Sequence, residues 1–137
     1  MRISFHQWLS DIYWDMNHSG FGSNSLSKIL YIRPRIFCVD GFNISVQGST
    51  EFYSEPRDVV ESYSSMECGF PSKEEDLLKN YAESNDYLNS VYPYTPVEVI
   101  EQVVEKHGGI DPMKTFQGKK DFYKHYLRQS KLERILL

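Results

Sequence analysis

The sequence has 137 residues, of which 40% are hydrophobic and 25% are charged, and its formal net charge at pH 7 is −4. These values are typical of one globular domain that folds without a metal ion or disulfide bonds. Residues 51–105 contain thirteen Asp or Glu residues against three Lys or Arg residues, which argues against direct nucleic-acid binding by this acidic body.

We therefore predict a single domain over residues 1–137, in which residues 119–137 form a basic helical extension. Arg2, His6 and Asp11 interrupt the first apolar run, so we expect neither a signal peptide nor a membrane span. Cys38 and Cys68 lack the spacing of a zinc site, and we expect both to be reduced core residues of a cytosolic protein.

Residues 4–16 are predicted to form a helix, because their apolar residues recur on one face and Ser4 is a suitable N-cap. The stretch 17–27 is rich in Gly, Ser and Asn, which predicts a loop. A short strand is expected at Ile29, Tyr31 and Ile32, ending before Pro34.

The strongest β signal is a hairpin over residues 35–47. Its two arms flank Asp40-Gly41, a pair that favours a two-residue type I′ turn. In the second arm apolar and polar residues alternate, which predicts one buried face and one polar face.

Beyond the hairpin we predict a loop over 48–57, a strand over 59–68 and a short helix over 73–83 with Ser72 as its N-cap. A polar loop over 84–94 leads to a helix over 96–107, with Thr95 as N-cap and Gly108 as the stop. After a loop over 111–118, an amphipathic helix is expected over 119–136.

The predicted fold class is therefore α+β. A small antiparallel sheet centred on the 35–47 hairpin is packed by helices near 4–16, 73–83, 96–107 and 119–136.

Sequence motifs for known chemistry are absent. There is no phosphate-binding glycine loop and no nucleophile elbow, and the four histidines, at 6, 18, 107 and 125, lack metal-ligand spacing. His107 is explained by the dipole at the end of its helix, and Glu74-Glu75 and Glu98-Glu101 are expected on solvated helix faces. We expect no metal, no cofactor and no catalytic set, which leaves an enzyme acting on a nucleotide as the weaker alternative.

A set of polar residues around the hairpin is the best candidate for ligand binding. These side chains lie on or just after predicted strands and carry hydrogen-bonding groups or a guanidinium: Ser45, Gln47, Tyr53, Ser54, Arg57 and Glu67. Arg57 suits a phosphate or carboxylate, and Tyr53 suits a base. The alternative is a solvated face on which Arg57 pairs with Glu55 or Asp58.

Several strings, in order, resemble a family of small uncharacterised proteins encoded by phages and prophages. These strings are CVDGFNISVQ (38–47), YSEPR (53–57), ECGFPS (67–72), VYPYTPVEVI (91–100) and KHGGI (106–110). The resemblance covers roughly residues 35–110. It implies a gene setting in which small proteins often block bacterial immunity, in the cytoplasm of the bacterial host.

Four functional hypotheses remain open. The first is an anti-defence protein that sequesters a nucleotide-like ligand on the polar face of the hairpin. The second is an inhibitor that binds a host defence complex, such as a CRISPR effector, through the acidic surface. The third is the nucleotide-acting enzyme, and the fourth is a homo-oligomer in which the basic extension pairs with the acidic body of a neighbouring copy.

Overall fold

The structure, a computed structural model, describes residues 1–18 and 25–136. It has an α+β fold, as predicted from the sequence, with one antiparallel four-stranded sheet in the order β1-β2-β3-β4. The strands are β1 (Ile36–Phe37), β2 (Asn43–Gln47), β3 (Ser65–Gly69) and β4 (Val91–Pro96). The helices are α1 (Phe5–His18), α2 (Ser25–Leu30), α3 (Val97–Lys106), α4 (Pro112–Thr115) and α5 (Lys120–Leu136), with 3₁₀ helices at Asp76–Tyr81 and Tyr87–Asn89.

The hairpin forms at the predicted place, but its turn differs from the predicted one. Gly41 donates its N–H to the Cys38 carbonyl at 3.0 Å, and the Cys38 N–H donates to the Phe42 carbonyl at 2.8 Å. Gly41 has a φ of 100°, whereas Asp40 is not among the residues with positive φ. The loop therefore has three residues and ends on a left-handed glycine, so the type I′ prediction was wrong.

Two predictions near the start of the chain were wrong. Residues 25–30 form α2 where we expected loop and then strand, and Tyr31 follows that helix. The Tyr31 hydroxyl donates to Asp15 on α1, which ties the end of α2 to α1. Asn17 and His18 belong to α1, and residues 19–24 of the predicted loop lie outside the described residues.

The middle of the chain also departs from the sequence pattern. The strand predicted over 59–68 begins only at Ser65, and β4 occupies residues assigned to a loop and to a helix cap. The Thr95 hydroxyl donates to the Tyr92 carbonyl at 3.0 Å instead of capping α3. Ser72 bonds to the backbone of Asn43, and Glu75 caps the 3₁₀ helix that replaces the predicted helix over 73–83.

The long helices were predicted correctly. Ser4 accepts the N–H of Gln7 at 3.1 Å as the N-cap of α1, and Gly108 adopts the left-handed conformation that ends α3, with a φ of 89°. The loop expected over 111–118 contains α4, which Asp111 caps through the N–H groups of Met113 and Lys114. In the part of the chain that the structure describes, none of the helices has both the length and the apolar character needed to cross a bilayer.

The core lies between the inner face of the sheet and helices α1 and α3. Its buried side chains come from both helices, the sheet and the loops, and they include Trp8, Ile12, Phe42, Val46, Met66, Tyr92, Ile100, Val103 and Phe116. Cys38 and Cys68 are free thiols inside this core, as predicted. Burial raises the pKa of each thiol to about 12, so both remain protonated and unreactive at neutral pH.

A buried histidine connects the hairpin to the far side of the core. His107 Nδ1 lies 2.6 Å from Asp40 Oδ2, and its Nε2 lies 2.7 Å from Glu75 Oε1. Glu75, whose side chain is 2% exposed, also pairs with Lys106 at 2.9 Å. The His107 ring stacks on Phe42 with 4.2 Å between centroids. The sequence assigned His107 to the helix dipole alone, and that interpretation missed both carboxylates.

These contacts make the stability of the fold sensitive to acid. Burial by itself raises the pKa of Glu75, but hydrogen bonds from the Leu77 N–H, Lys106 and His107 outweigh it and leave the pKa below the ordinary 4.5. Asp40 is likewise held below 3.8, where the Phe42 N–H and His107 outweigh desolvation. The ionised carboxylates of Glu75 and Asp40 therefore contribute their full stabilisation at pH values above the pKa values of the unfolded chain. This contribution is lost as the pH falls through the lowered pKa values of the folded protein.

We expect Glu75→Gln to lower the free energy of unfolding at pH 7 by about 1–3 kcal/mol, because it replaces the buried carboxylate that accepts from the Leu77 N–H and Lys106 and contacts His107. The variant should also lose less stability than the parent between pH 5 and pH 3. Urea unfolding at a series of pH values measures both effects. Glu105→Gln, the same chemical change at an exposed position on α3, is the control. Equal pH dependence in the parent and Glu75→Gln would contradict this account.

Candidate functional site

The outer face of the sheet carries the polar side chains of the alternating pattern. Ile44 and Val46 point into the core, while Ser45, Gln47 and Glu67 lie on the opposite side, and Gln47 pairs with Glu67 across β2 and β3. The Gln47 side chain is itself buried. Its amide oxygen accepts the Arg33 N–H at 2.9 Å, and its amide nitrogen donates to the Arg33 carbonyl at 3.0 Å. Its second amide hydrogen is directed to Ser45 Oγ at 3.3 Å. Gln47 therefore fixes the backbone rather than offering a free group to a ligand.

The loop over residues 48–64 is organised around the buried ring of Tyr63. The Tyr63 hydroxyl lies 2.7 Å from the Asp58 carbonyl and 3.1 Å from the Gly48 carbonyl, and it accepts the Val60 N–H at 3.3 Å. One side chain thus holds the start and the middle of the loop. This anchoring gives the loop a defined shape, although it has no regular secondary structure between Gly48 and Ser64.

Arg33 is a second buried side chain that anchors this loop. Its guanidinium is buried, donates to the Gly48 carbonyl at 2.6 Å and lies 5.4 Å from the centre of the Tyr63 ring. Within residues 1–18 and 25–136 it pairs with no carboxylate, so carbonyl and ring electrons supply its compensation. Burial lowers the pKa of Arg33 from its ordinary value.

The anchored loop presents Tyr53 and Arg57. The Tyr53 ring is 45% exposed, and its backbone N–H donates to Glu67 Oε1 at 3.1 Å. The Arg57 guanidinium lies 5.2 Å from the centre of that ring and donates to the Thr50 carbonyl at 3.2 Å. Among the described residues Arg57 forms no ion pair with Glu55 or Asp58.

Five of the six residues singled out from the sequence therefore form one continuous series of neighbours, Ser45–Gln47–Glu67–Tyr53–Arg57. The sixth, Ser54, is fully buried, and its hydroxyl donates to the Pro56 carbonyl at 2.9 Å. Ser54 shapes the loop and is not accessible to a ligand.

Tyr94 joins this face because of a β-bulge. Cys68 pairs with Tyr92 and Met66 with Thr95, so β4 has one more residue than β3 between these pairs. The extra length places Tyr94 outside the ladder, and its N–H donates to the Tyr53 carbonyl at 3.0 Å. The two rings lie 5.8 Å apart, and Tyr94 is 41% exposed. Bulges often redirect a side chain next to a functional site, and the sequence pattern did not reveal this one.

Phe70 is a third exposed aromatic ring at the end of β3, with 48% of its surface accessible. Phe70 and Tyr94 are the two non-glycine residues of the described chain with positive φ, 53° and 50°. Arg35 supports Phe70, since its guanidinium donates to the Phe70 carbonyl and, at 2.6 Å, to Asn43 Oδ1. Large side chains rarely adopt this conformation, and it is concentrated at functional sites.

The charge around the rings is mixed. The loop that presents the single guanidinium of Arg57 also carries four exposed carboxylates: Glu51, Glu55, Asp58 and Glu61. Glu67 uses one oxygen on the Tyr53 N–H, and no hydrogen bond within the described chain occupies the other. The face therefore offers ring surfaces, one cation and a free acceptor, in a field that disfavours strongly anionic molecules.

Two surface clefts lie elsewhere, along α1. One of about 470 Å³ is lined by Ser10, Tyr13, Trp14 and Glu61, and another of about 270 Å³ lies between Trp14 and the start of α5. Both are open and shallow, and the Trp14 ring between them is packed against His18 and Phe122. We place the candidate site on the sheet because polar, charged and aromatic groups converge there.

The conformation of Tyr94 can be tested with two truncations. Tyr94→Ala keeps a Cβ in the left-handed region, whereas Tyr94→Gly removes it, and both delete the ring. We expect the glycine variant to be more stable than the alanine variant by about 1 kcal/mol, the reverse of the usual order. Chemical denaturation measures the difference. An alanine variant of equal or greater stability would exclude strain at this position.

The role of Tyr63 in shaping the loop can be tested at Gly48. A Cβ at Gly48 would lie 2.7 Å from the Tyr63 ring, whereas one at Gly118 meets no atom within 4 Å. We expect Gly48→Ala to lower the free energy of unfolding by about 1–3 kcal/mol and to expose the loop to proteases. Gly118→Ala, the same chemical change in open space, should do neither. Unchanged cleavage of the Gly48→Ala loop would contradict the packing described.

The residues described contain no group of three or more His, Cys, Asp or Glu side chains that could hold a metal ion, and the two carboxylates at His107 bind opposite sides of its ring. In comparisons with known proteins, no family model, no curated protein and no solved structure matches this chain.

Proposed function

We propose that the protein binds and sequesters a small nucleotide-like ligand on the outer face of its sheet. One observation carries this proposal: the exposed rings of Tyr53 and Tyr94 lie 5.8 Å apart, with the Arg57 guanidinium beside the Tyr53 ring. Stacking of a base on an aromatic side chain contributes about 1–3 kcal/mol. Glu67 supplies an acceptor suited to the amino group of a base.

The charge of the face narrows the class of ligand. Arg57 is the one cation on a loop that also carries four exposed carboxylates, so a triphosphate would be repelled. A ligand with one phosphate, or with phosphodiesters of a single charge each, suits the site better. Cyclic dinucleotides and nucleoside monophosphates meet this condition.

Binding without turnover is favoured because the hydroxyl groups of this face are not placed to act as nucleophiles. The Ser54 hydroxyl donates to a carbonyl, and Ser45 Oγ accepts from Gln47, so neither hydroxyl has a general base beside it. The resemblance to phage-encoded proteins supports a setting in which the ligand is a bacterial immune signal, held in the cytoplasm of the host cell. This setting is part of the proposal.

The runner-up is inhibition of a host defence complex through the acidic surface. The exposed carboxylates of Glu51, Glu55, Asp58 and Glu61 favour it, since they could replace phosphates against a basic groove. Both functions use the same loop. Nucleotide binding requires the aromatic rings, which stack on a base, whereas inhibition through the acidic surface does not, because the rings carry no charge.

The proposal predicts retention of a ligand that survives intact. Native mass spectrometry of protein purified from bacteria should show added mass, and calorimetry should show binding of AMP or cyclic di-AMP but weaker binding of ATP. We expect Tyr53→Ala and Tyr94→Ala each to reduce affinity about ten- to a hundredfold, and Arg57→Ala to reduce it further for the phosphate-bearing probes.

Trp14→Ala is the matched control, because it removes an exposed ring beside the clefts along α1. Loss of binding in that variant and not in Tyr53→Ala would move the site to α1. Consumption of the probe would make the protein an enzyme, and a salt-sensitive complex with a host protein that tolerates Tyr53→Ala would favour the runner-up.

A further inference from the structure

The second half of α5 carries an apolar surface that no packing within residues 1–18 and 25–136 covers. Tyr126 anchors the helix to α1 by a hydrogen bond to Asp11, and Lys119, just before the helix, pairs with Asp15 at 3.0 Å. Leu127 and Ser130 are still partly buried, but every residue from 131 to 136 is exposed. Leu132, Ile135 and Leu136 are 56%, 78% and 84% exposed.

The same helix is strongly basic. Lys120–Leu136 contains five Lys or Arg residues against two acids, and Lys131 and Arg134 flank the exposed apolar residues. A surface that combines basic and apolar side chains fits a partner surface that combines acidic and apolar ones.

Such a surface exists on the two 3₁₀ helices. Residues 74–89 contain five acids and one lysine, and four of the acids are exposed: Glu74, Asp76, Glu83 and Asp86. Leu77 and Leu88, 38% and 44% exposed, lie among them. Lys79 joins the two helices into one patch, because it pairs with Asp76 at 3.0 Å and lies 5.1 Å from the centre of the Tyr87 ring.

Within one copy these two surfaces flank opposite edges of the sheet. The first 3₁₀ helix packs against β4, and α4, which leads into α5, packs against β1. Since three strand spacings of about 4.8 Å separate β1 from β4, the edges are about 14 Å apart. Both surfaces are also exposed, so neither covers the other within the molecule.

We propose that copies of this chain associate head to tail, the exposed end of α5 (residues 131–136) docking on the acidic patch (residues 74–89) of a second copy. The two surfaces differ, so the interface is heterologous and repeats from copy to copy, closing into a ring or extending as a chain. Apolar contacts of the leucines supply affinity, and the opposite charges set partner and orientation.

Charge exchange between two variants tests this arrangement. Lys131→Glu with Arg134→Glu makes the helix end acidic, and Glu74→Lys with Glu83→Lys makes the patch basic. In sedimentation velocity, the apparent mass of the parent protein should rise with protein concentration as copies associate. The rise should be smaller at high salt, because salt screens the attraction between the two charged surfaces. Each double variant alone should sediment as a single copy, because its two surfaces then repel. An equimolar mixture should assemble again, which also shows that both variants are folded.

The control reverses charges in the same helix but close to α1, as Lys120→Glu with Lys124→Glu. It should retain association within about twofold of the parent, whereas removal of residues 131–137 should abolish it. A parent protein that stays single at all concentrations, a truncated chain that still assembles, or a mixture that stays single would each overturn the proposal. So would a single-copy parent whose α5 binds vesicles of phosphatidylglycerol, since the occupant would then be a lipid surface.

Discussion

The imidazole of His107 joins three segments that are far apart in the chain: the hairpin turn at Asp40, the cap of the 3₁₀ helix at Glu75 and the end of α3. Both ring nitrogens face carboxylate oxygens, at 2.6 and 2.7 Å. Stacking on Phe42 fixes the plane of the ring. The hairpin is therefore held against α3 by polar contacts of the ring nitrogens and by ring packing together.

The arrangement of the outer face depends on this junction. The junction positions β2, whose outward residue Gln47 holds the segment containing Arg33, and Arg33 in turn holds the loop through Gly48 and Tyr63. These steps are hydrogen bonds of buried side chains, to backbone at Arg33 and Gly48 and to the hydroxyl at Tyr63, so the exposed rings at the end of the series rest on an anchored loop. A binding site gains affinity when its groups are ordered before the ligand arrives.

The sequence predicted those parts of the fold whose signals are local. Helical periodicity predicted α1, α3 and α5, and alternation with Asp40-Gly41 predicted the hairpin. It missed β4, because the prolines at 93 and 96 and an extra residue at the bulge erase the alternation. It also missed the partners of His107, since they lie 67 and 32 residues away in sequence. For the site, a position on or just after a predicted strand singled out Tyr53, Arg57 and Glu67, of which Glu67 lies on β3 and the other two on the loop before it. Tyr94 and Phe70 escaped notice because no glycine marks their left-handed backbone.

The many aromatic residues of the chain have two explanations, packing of the core and contact with a ligand, and exposure in the structure divides the residues between them. Phe5, Trp8, Phe42 and Phe116 are buried, so their rings serve the core. Tyr53, Phe70 and Tyr94 are between 41% and 48% exposed and contribute far less buried area. A positive φ at two of them costs about 1–3 kcal/mol each, a large fraction of the stability of a small domain. Packing of the rings does not offset this free-energy cost, because the rings face solvent. Contact with a ligand at these rings would explain why the fold retains them.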